Sequence, residues 1–122
     1  MEEDHFKGTI YDFSIRDKLR GAWLVLLCNT AGVGSANEQA VVCKQIRRLC
    51  EYFPCLECKG HFEKYLRMFP PEDKIGISVG LFNWTIDFMN SICRRLGKEE
   101  YQHYILYKIF HEVGYGVCDK NC

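Results

Sequence analysis

Proline is scarce in this chain: it has three in 122 residues, at positions 54, 70 and 71. Long segments of the chain therefore carry no proline to break a helix. Excess charge is missing as well. Sixteen basic side chains balance sixteen acidic ones, which leaves no electrostatic case for nucleic acid or an anionic membrane as partner. The longest apolar run, Ala22 to Cys28, falls far short of the roughly 20 residues a bilayer-spanning helix needs. The opening Met1-Glu2-Glu3-Asp4-His5 is acidic and lacks the basic-then-apolar pattern of a secretion signal. An intracellular location, or routing by some other means, is therefore expected. Strand-like alternation, internal repeats and low-complexity stretches are absent too.

Cysteine and aromatic residues are plentiful. Eight cysteines is several times ordinary usage, and aromatics make up 14%. A secreted chain with this much cysteine would be expected to carry a disulfide scaffold. Without a signal, redox work, metal binding or small buried thiols are the alternatives. The length fits one domain with a single core.

Nearly every segment has helical periodicity. Ser14 is placed to cap a first helix whose face is Ile15, Leu19, Trp23, Leu26 and Leu27, ending near Ala31. Asn37 is placed to cap a second helix with the face Val41, Val42, Ile46, Leu49, Cys50 and Phe53. Pro54 opens a third, whose stripe Phe62, Tyr65, Leu66 and Phe69 lasts until Pro70-Pro71. A fourth is predicted from about Ser78 to Leu96, with Gly97 as its stop. A fifth is predicted over roughly 99–113, with Tyr101, Tyr104, Ile105, Ile109 and Phe110 inward. The expected fold is all-α, a four-helix bundle with a short fifth helix. It divides into an N-terminal segment (1–13), a main domain (14–113) and a C-terminal tail (114–122).

The most informative run is Phe53-Pro54-Cys55-Leu56-Glu57-Cys58-Lys59-Gly60-His61-Phe62. Two cysteines three apart at a helix start share one face, within disulfide reach. Unpaired N–H groups and the helix dipole favour a thiolate there. Proline suits the first helical turn, and Lys59 and His61 add positive charge. Such a dithiol points to thiol–disulfide exchange. The segment before it reads as a helix, which argues against the strand-to-helix setting of a thioredoxin-like C-x-x-C.

These residues resemble the Erv/ALR family of FAD-linked sulfhydryl oxidases. Arg20-Gly21-Ala22-Trp23 is similar to the family's first-helix motif, and Tyr52 to Phe62 with Tyr65 is similar to its C-x-x-C-x-x-H-F segment. Trp84, Asn90, Ile92, Leu96, Gly97 and Lys98 fall on W-x-x-x-x-H-N-x-V-N-x-x-L-G-K. Met89 and Cys93 replace the motif's histidine and second asparagine. Leu27 stands where the first helix has a histidine, and Ile86 lies near a lost structural cysteine. These reductions resemble the small oxidases of large DNA viruses, which implies host cytoplasm or virion as the compartment.

The resemblance implies FAD at the mouth of the bundle. Cys55 would accept attack by a substrate thiolate, and Cys58 would lie against the flavin. Arg20, Trp23, His61, Tyr65, Trp84, Asn90 and Lys98 would contact the cofactor. The reaction implied is disulfide formation in a partner, a small thioredoxin-like dithiol protein, with O₂ reduced to hydrogen peroxide by a homodimer. Cys118 and Cys122 on the glycine-flanked tail would be a candidate shuttle pair, with unremarkable terminal thiols as the alternative.

Cys28, Cys50 and Cys93 fall on apolar faces and are expected to be buried, while Cys43 is expected to be exposed. Cys43 and Cys50 lie two turns apart, about 10 Å along one helix, too far for a mutual disulfide. A rival reading is a zinc-binding helical module that uses the C-x-x-C and His61 as ligands. Another is a non-enzymatic helical interaction module.

Overall fold

Helices form where the apolar steps of three and four run unbroken. The structure, a computed structural model, describes residues 7–14, 18–32, 34–53 and 56–113. Its elements are α1 (Lys18–Ala31), α2 (Ala36–Tyr52), α3 (Leu56–Met68), α4 (Gly80–Leu96) and α5 (His103–Tyr107). A 3₁₀ turn over Pro71–Lys74 precedes α4, and α5 widens into π-helical turns over Lys108–Val113. No strand occurs among the described residues. The expected all-α architecture of four long helices and a short fifth is the observed one.

The start of α2 corrects the expected cap. Ser35, not Asn37, caps it: the Ser35 hydroxyl accepts from the Glu38 N–H, and the Glu38 carboxylate accepts from the Ser35 N–H. Two backbone donors are satisfied by this reciprocal pair. At the other end of the bundle, α4 stops at Gly97, whose φ of +69° is left-handed. The N–H groups of Gly97 and Lys98 turn back onto the carbonyls of Arg94 and Cys93, satisfying groups the helix end would otherwise leave open.

Successive helices run antiparallel. Phe53 on α2's exit meets Phe62 on α3, and Arg47 reaches Glu72 beyond α3's far end. His61 meets Ser91, Tyr65 meets Phe88, and Tyr65 and Phe69 both reach Trp84, so α3 and α4 oppose one another. Trp23 on α1 packs edge-on against Phe88. The core lies between: Leu27, Ile46, Phe82, Ile86, Met89, Leu106 and Ile109 are fully buried. Burying each side chain of this size contributes about 1.5–3 kcal/mol.

Several side chains depart from the expected faces. Val41 is exposed and Cys43 buried, so α2 is rotated slightly from its predicted stripe. Tyr104 points outward, and Leu106 takes an interior place. Tyr11 and Phe13, assigned to an N-terminal segment, are buried against the fifth helical region. Phe13 stacks on Tyr101 and meets Phe110 edge-on, while the Gln102 N–H donates to the Tyr11 hydroxyl at 2.9 Å. Asp12 holds this strap in a turn by accepting from Ser14 and from the Gly8 N–H, and these bonds lower its pKa.

The entry to α4 is tight. Val79 has φ +48°, in the left-handed region that a β-branched residue rarely adopts. A Cβ on Gly80 would lie 2.8 Å from the Lys74 carbonyl and 2.9 Å from Ile77 Cβ. We expect Val79→Gly to stabilise the protein by about 1 kcal/mol. Gly80→Ala is expected to destabilise it by about 2 kcal/mol. Thermal melts of the two variants should move in opposite directions.

Candidate active site

One end of the bundle gathers the first turns of α1 and α3 and the last turns of α2 and α4. Cys58 sits there, in the first turn of α3, half-buried against the core. Its sulfur is in a disulfide. None of Cys28, Cys43, Cys50 and Cys93 is in a disulfide, so the partner is not among the described cysteines. Cys55, Cys118 and Cys122 lie outside the described residues.

The candidate cofactor residues fall into two neighbouring groups. Tyr65, Trp84 and Asn90 share an open cleft of about 570 Å³ that is also lined by Phe69, Asp87 and Arg94. Arg20, Trp23 and Lys98 share a small pocket of about 50 Å³ with Cys93 and Tyr101. Asn90 joins the two. Its amide donates to the Tyr101 carbonyl at 2.8 Å and accepts from the Tyr101 N–H at 2.7 Å. The ring of Tyr101 therefore stays in the small pocket while its backbone is clamped to the wall of the cleft.

Aromatic rings build the floor of the larger cleft. Trp84 stacks on Phe88 with centroids 5.2 Å apart, and Tyr65 stands edge-on to Trp84 at 5.7 Å. The Trp84 indole N–H donates to the Phe69 carbonyl at 2.7 Å, which fixes the ring. Burial pushes the Tyr65 phenol up to about 12, so it stays neutral. Two exposed pairs cross the mouth: His103 with Asp87, and Arg94 with Glu100, each at 2.8 Å. Each contributes at most about 1 kcal/mol, but together they place α5 beside the opening. Arg20 is directed to the N-terminal strap, donating to the carbonyls of Thr9 and Asp12. Trp23 is buried, and Lys98 is exposed.

Local sequence gave no sign of several of these contacts. The Asn90 clamp, the Asp87–His103 pair and the Ser91 partner of His61 join positions 11 to 30 residues apart. Only the polar type at each position was visible beforehand.

The remaining described thiols are poor nucleophiles. Burial raises all four, Cys43 to about 11 and Cys50 to about 12. A deprotonated thiol is what attacks, so in the native state at pH 8 these four should resist iodoacetamide, and unfolding should expose them. Mass mapping of the modified peptides checks this. Among the described residues no group of three or more His, Cys, Asp or Glu side chains is placed to hold a metal ion. Nor is any described helix long and apolar enough to cross a membrane.

Residues 20–112 match the profile of the Erv1 / Alr family, and the chain belongs to that family. Its members are FAD-binding sulfhydryl oxidases, and this chain has a sulfhydryl-oxidase-type function. Among solved structures, the crystal structure of the yeast Erv1 core shares the fold: the TM-score is 0.68 at 19% identity, over 88% of this chain and 97% of that one. No curated protein matches the chain in sequence.

Proposed function

We propose that this chain is an FAD-dependent thiol oxidase that makes disulfides in a small dithiol protein and reduces O₂ to hydrogen peroxide. The observation that carries the reading is a disulfide-bonded Cys58 in the first turn of α3, half-buried against the bundle core.

The site's residues fit a flavin. Ligand pockets span about 300–1,000 Å³, and the larger cleft holds about 570 Å³. Its rings suit a flat heterocycle. Arg94, Lys74 and His103 border that cleft, and Arg20 and Lys98 border the small pocket. These cations suit phosphate oxygens. Tyr65, Trp84 and Asn90 would line the cofactor on one side and Trp23, Arg20 and Lys98 on the other, with His61 between.

In the proposed cycle Cys55 is the partner of Cys58. A substrate thiolate attacks the Cys55 sulfur, the Cys55–Cys58 bond breaks, and Cys58 leaves as a thiolate stabilised by the N-terminal end of α3. A second substrate thiolate attacks the mixed disulfide and releases the oxidised partner. The C-x-x-C is left reduced. FAD, when bound, supplies the two-electron acceptor and the route to O₂.

A homodimer is part of the proposal. From Gly21 to Gly32 helix α1 carries no charged residue, yet Val25 on it is 52% exposed. A helix apolar all round is normally covered, and a second copy is the proposed cover. Sedimentation at the mass of one chain would reject the pairing.

The oxidase reading is tested by a visible spectrum and by oxygen uptake with dithiothreitol. We expect flavin absorbance in the blue and dithiol-dependent oxygen consumption. A colourless protein refolded with FAD, or a yellow one that takes up no oxygen, would reject it.

A further inference from the structure

We infer that His61 accepts the proton of Cys58 through its Nδ1 atom, and that Ser91 positions it for this task by fixing the imidazole tautomer. The purpose assigned to this proton transfer rests on the thiol-oxidase reading; the geometry is independent of it.

The hydroxyl of Ser91 lies 2.8 Å from the Phe88 carbonyl and 3.2 Å from His61 Nε2. Two oxygens at that separation need a hydrogen between them, and a carbonyl has none to give. The single hydroxyl hydrogen of Ser91 therefore points to Phe88. What Ser91 offers His61 is a lone pair, so Nε2 carries the ring's hydrogen and donates it. In a neutral imidazole the other nitrogen, Nδ1, is then the acceptor.

The direction of the ring matters next. Cys58 and His61 are three apart on α3, so they share a face. Helical side chains lean toward the N-terminus and cover the turn before their own Cα. His61 thus lies over the turn that carries Cys58, and Ser91 on α4 holds its far nitrogen. Burial, then Arg95 on α4 and Lys64 on α3, lower the pKa of His61. The resting ring is therefore neutral at neutral pH and able to accept a proton.

The step moves no electrons. The S–H bond of the Cys58 thiol breaks and an N–H bond forms at His61 Nδ1, leaving a thiolate–imidazolium pair. The reduced C-x-x-C thereby gains a route by which Cys58 reaches the thiolate form that can pass on its electrons.

The test uses the full chain. Imidazole ¹⁵N and ¹³C chemical shifts of the wild type should report an Nε2–H tautomer at His61. Ser91→Ala should give a tautomer mixture, and Ser91→Thr should restore the wild-type signature. In the reduced protein at pH 7, alkylation of Cys58 by iodoacetamide, followed by peptide mapping, should slow about tenfold in His61→Gln and about threefold in Ser91→Ala. His61→Gln keeps a donor for Ser91 while removing the base. An Nδ1–H ring in the wild type overturns the inference, and so does Cys58 alkylation unchanged in both variants, whatever the oxygen assay shows. Absence of flavin absorbance and oxygen uptake from the wild type would instead overturn the oxidase reading, with the tautomer and alkylation results still deciding this one.

Discussion

Cys58→Ala is expected to stay yellow and to lose dithiol-dependent oxygen uptake by roughly 10³-fold or more. The expectation follows from the position of Cys58. Its sulfur is the described end of the proposed redox disulfide, in the first turn of α3, and no other described thiol is placed to replace it. Cys50 is the nearest substitute in chain order, but burial holds its thiol at about 12, leaving almost no thiolate at pH 8. Alanine at 58 removes one half-buried sulfur and leaves the Trp84, Tyr65 and Asn90 walls untouched. Flavin retention and turnover should therefore separate, as the visible spectrum and the oxygen electrode would show on the same sample. Turnover above a tenth of wild type would mean that electrons reach oxygen by a route that avoids Cys58. Cys50→Ala is the matched control and should keep its turnover.

The second large effect concerns stability. Asn90→Leu is expected to cost about 2–5 kcal/mol. The substitution keeps the number and branching of the side-chain heavy atoms but leaves the N–H and carbonyl of Tyr101 buried without their amide partner, at about 1–3 kcal/mol for each unmet group. For a domain of this length that lowers the melting temperature by about 10–15 °C. Hydrogen exchange at the Tyr101 amide should accelerate along with it. An Asp87→Asn change, which weakens the exposed pair with His103, should shift stability by less than about 0.5 kcal/mol. If Asn90→Leu melted within about 2 °C of wild type, the clamp would not be what holds the 98–102 segment in place.

Periodicity made the bundle legible. Apolar steps of three and four, the prolines at 54, 70 and 71, and the glycine at 97 placed the helices and their ends to within a few residues. The candidate redox cysteines stood out for a different reason: a C-x-x-C at a helix start carries its chemistry in local spacing. What local pattern could not show was anything decided by a distant partner. Ser35 and Asn37 both suit a helix cap, and Ser35 prevails because Glu38, not Ala40, stands three residues on to complete the reciprocal pair. Cys43 turned inward because α2 packs a little rotated from its own stripe. Arg20 stood out by resemblance as a candidate cofactor contact, while its bonds to the carbonyls of Thr9 and Asp12 had no local sign. Ser91 carries no local mark, and it meets His61 only because α3 and α4 pack together. Each of these depends on which helix lies opposite, which one chain segment does not record.

The bond between the Tyr11 hydroxyl and the Gln102 N–H spans 91 residues of sequence. During synthesis the strap around Asp12 leaves the ribosome early, and the wall it seats against is among the last parts made. The proposed cofactor cleft is thus finished late, after α1 to α4 have had time to pair. Nascent chains stalled before the fifth helix should capture flavin poorly, so loading belongs to the released polypeptide and not to the translating one.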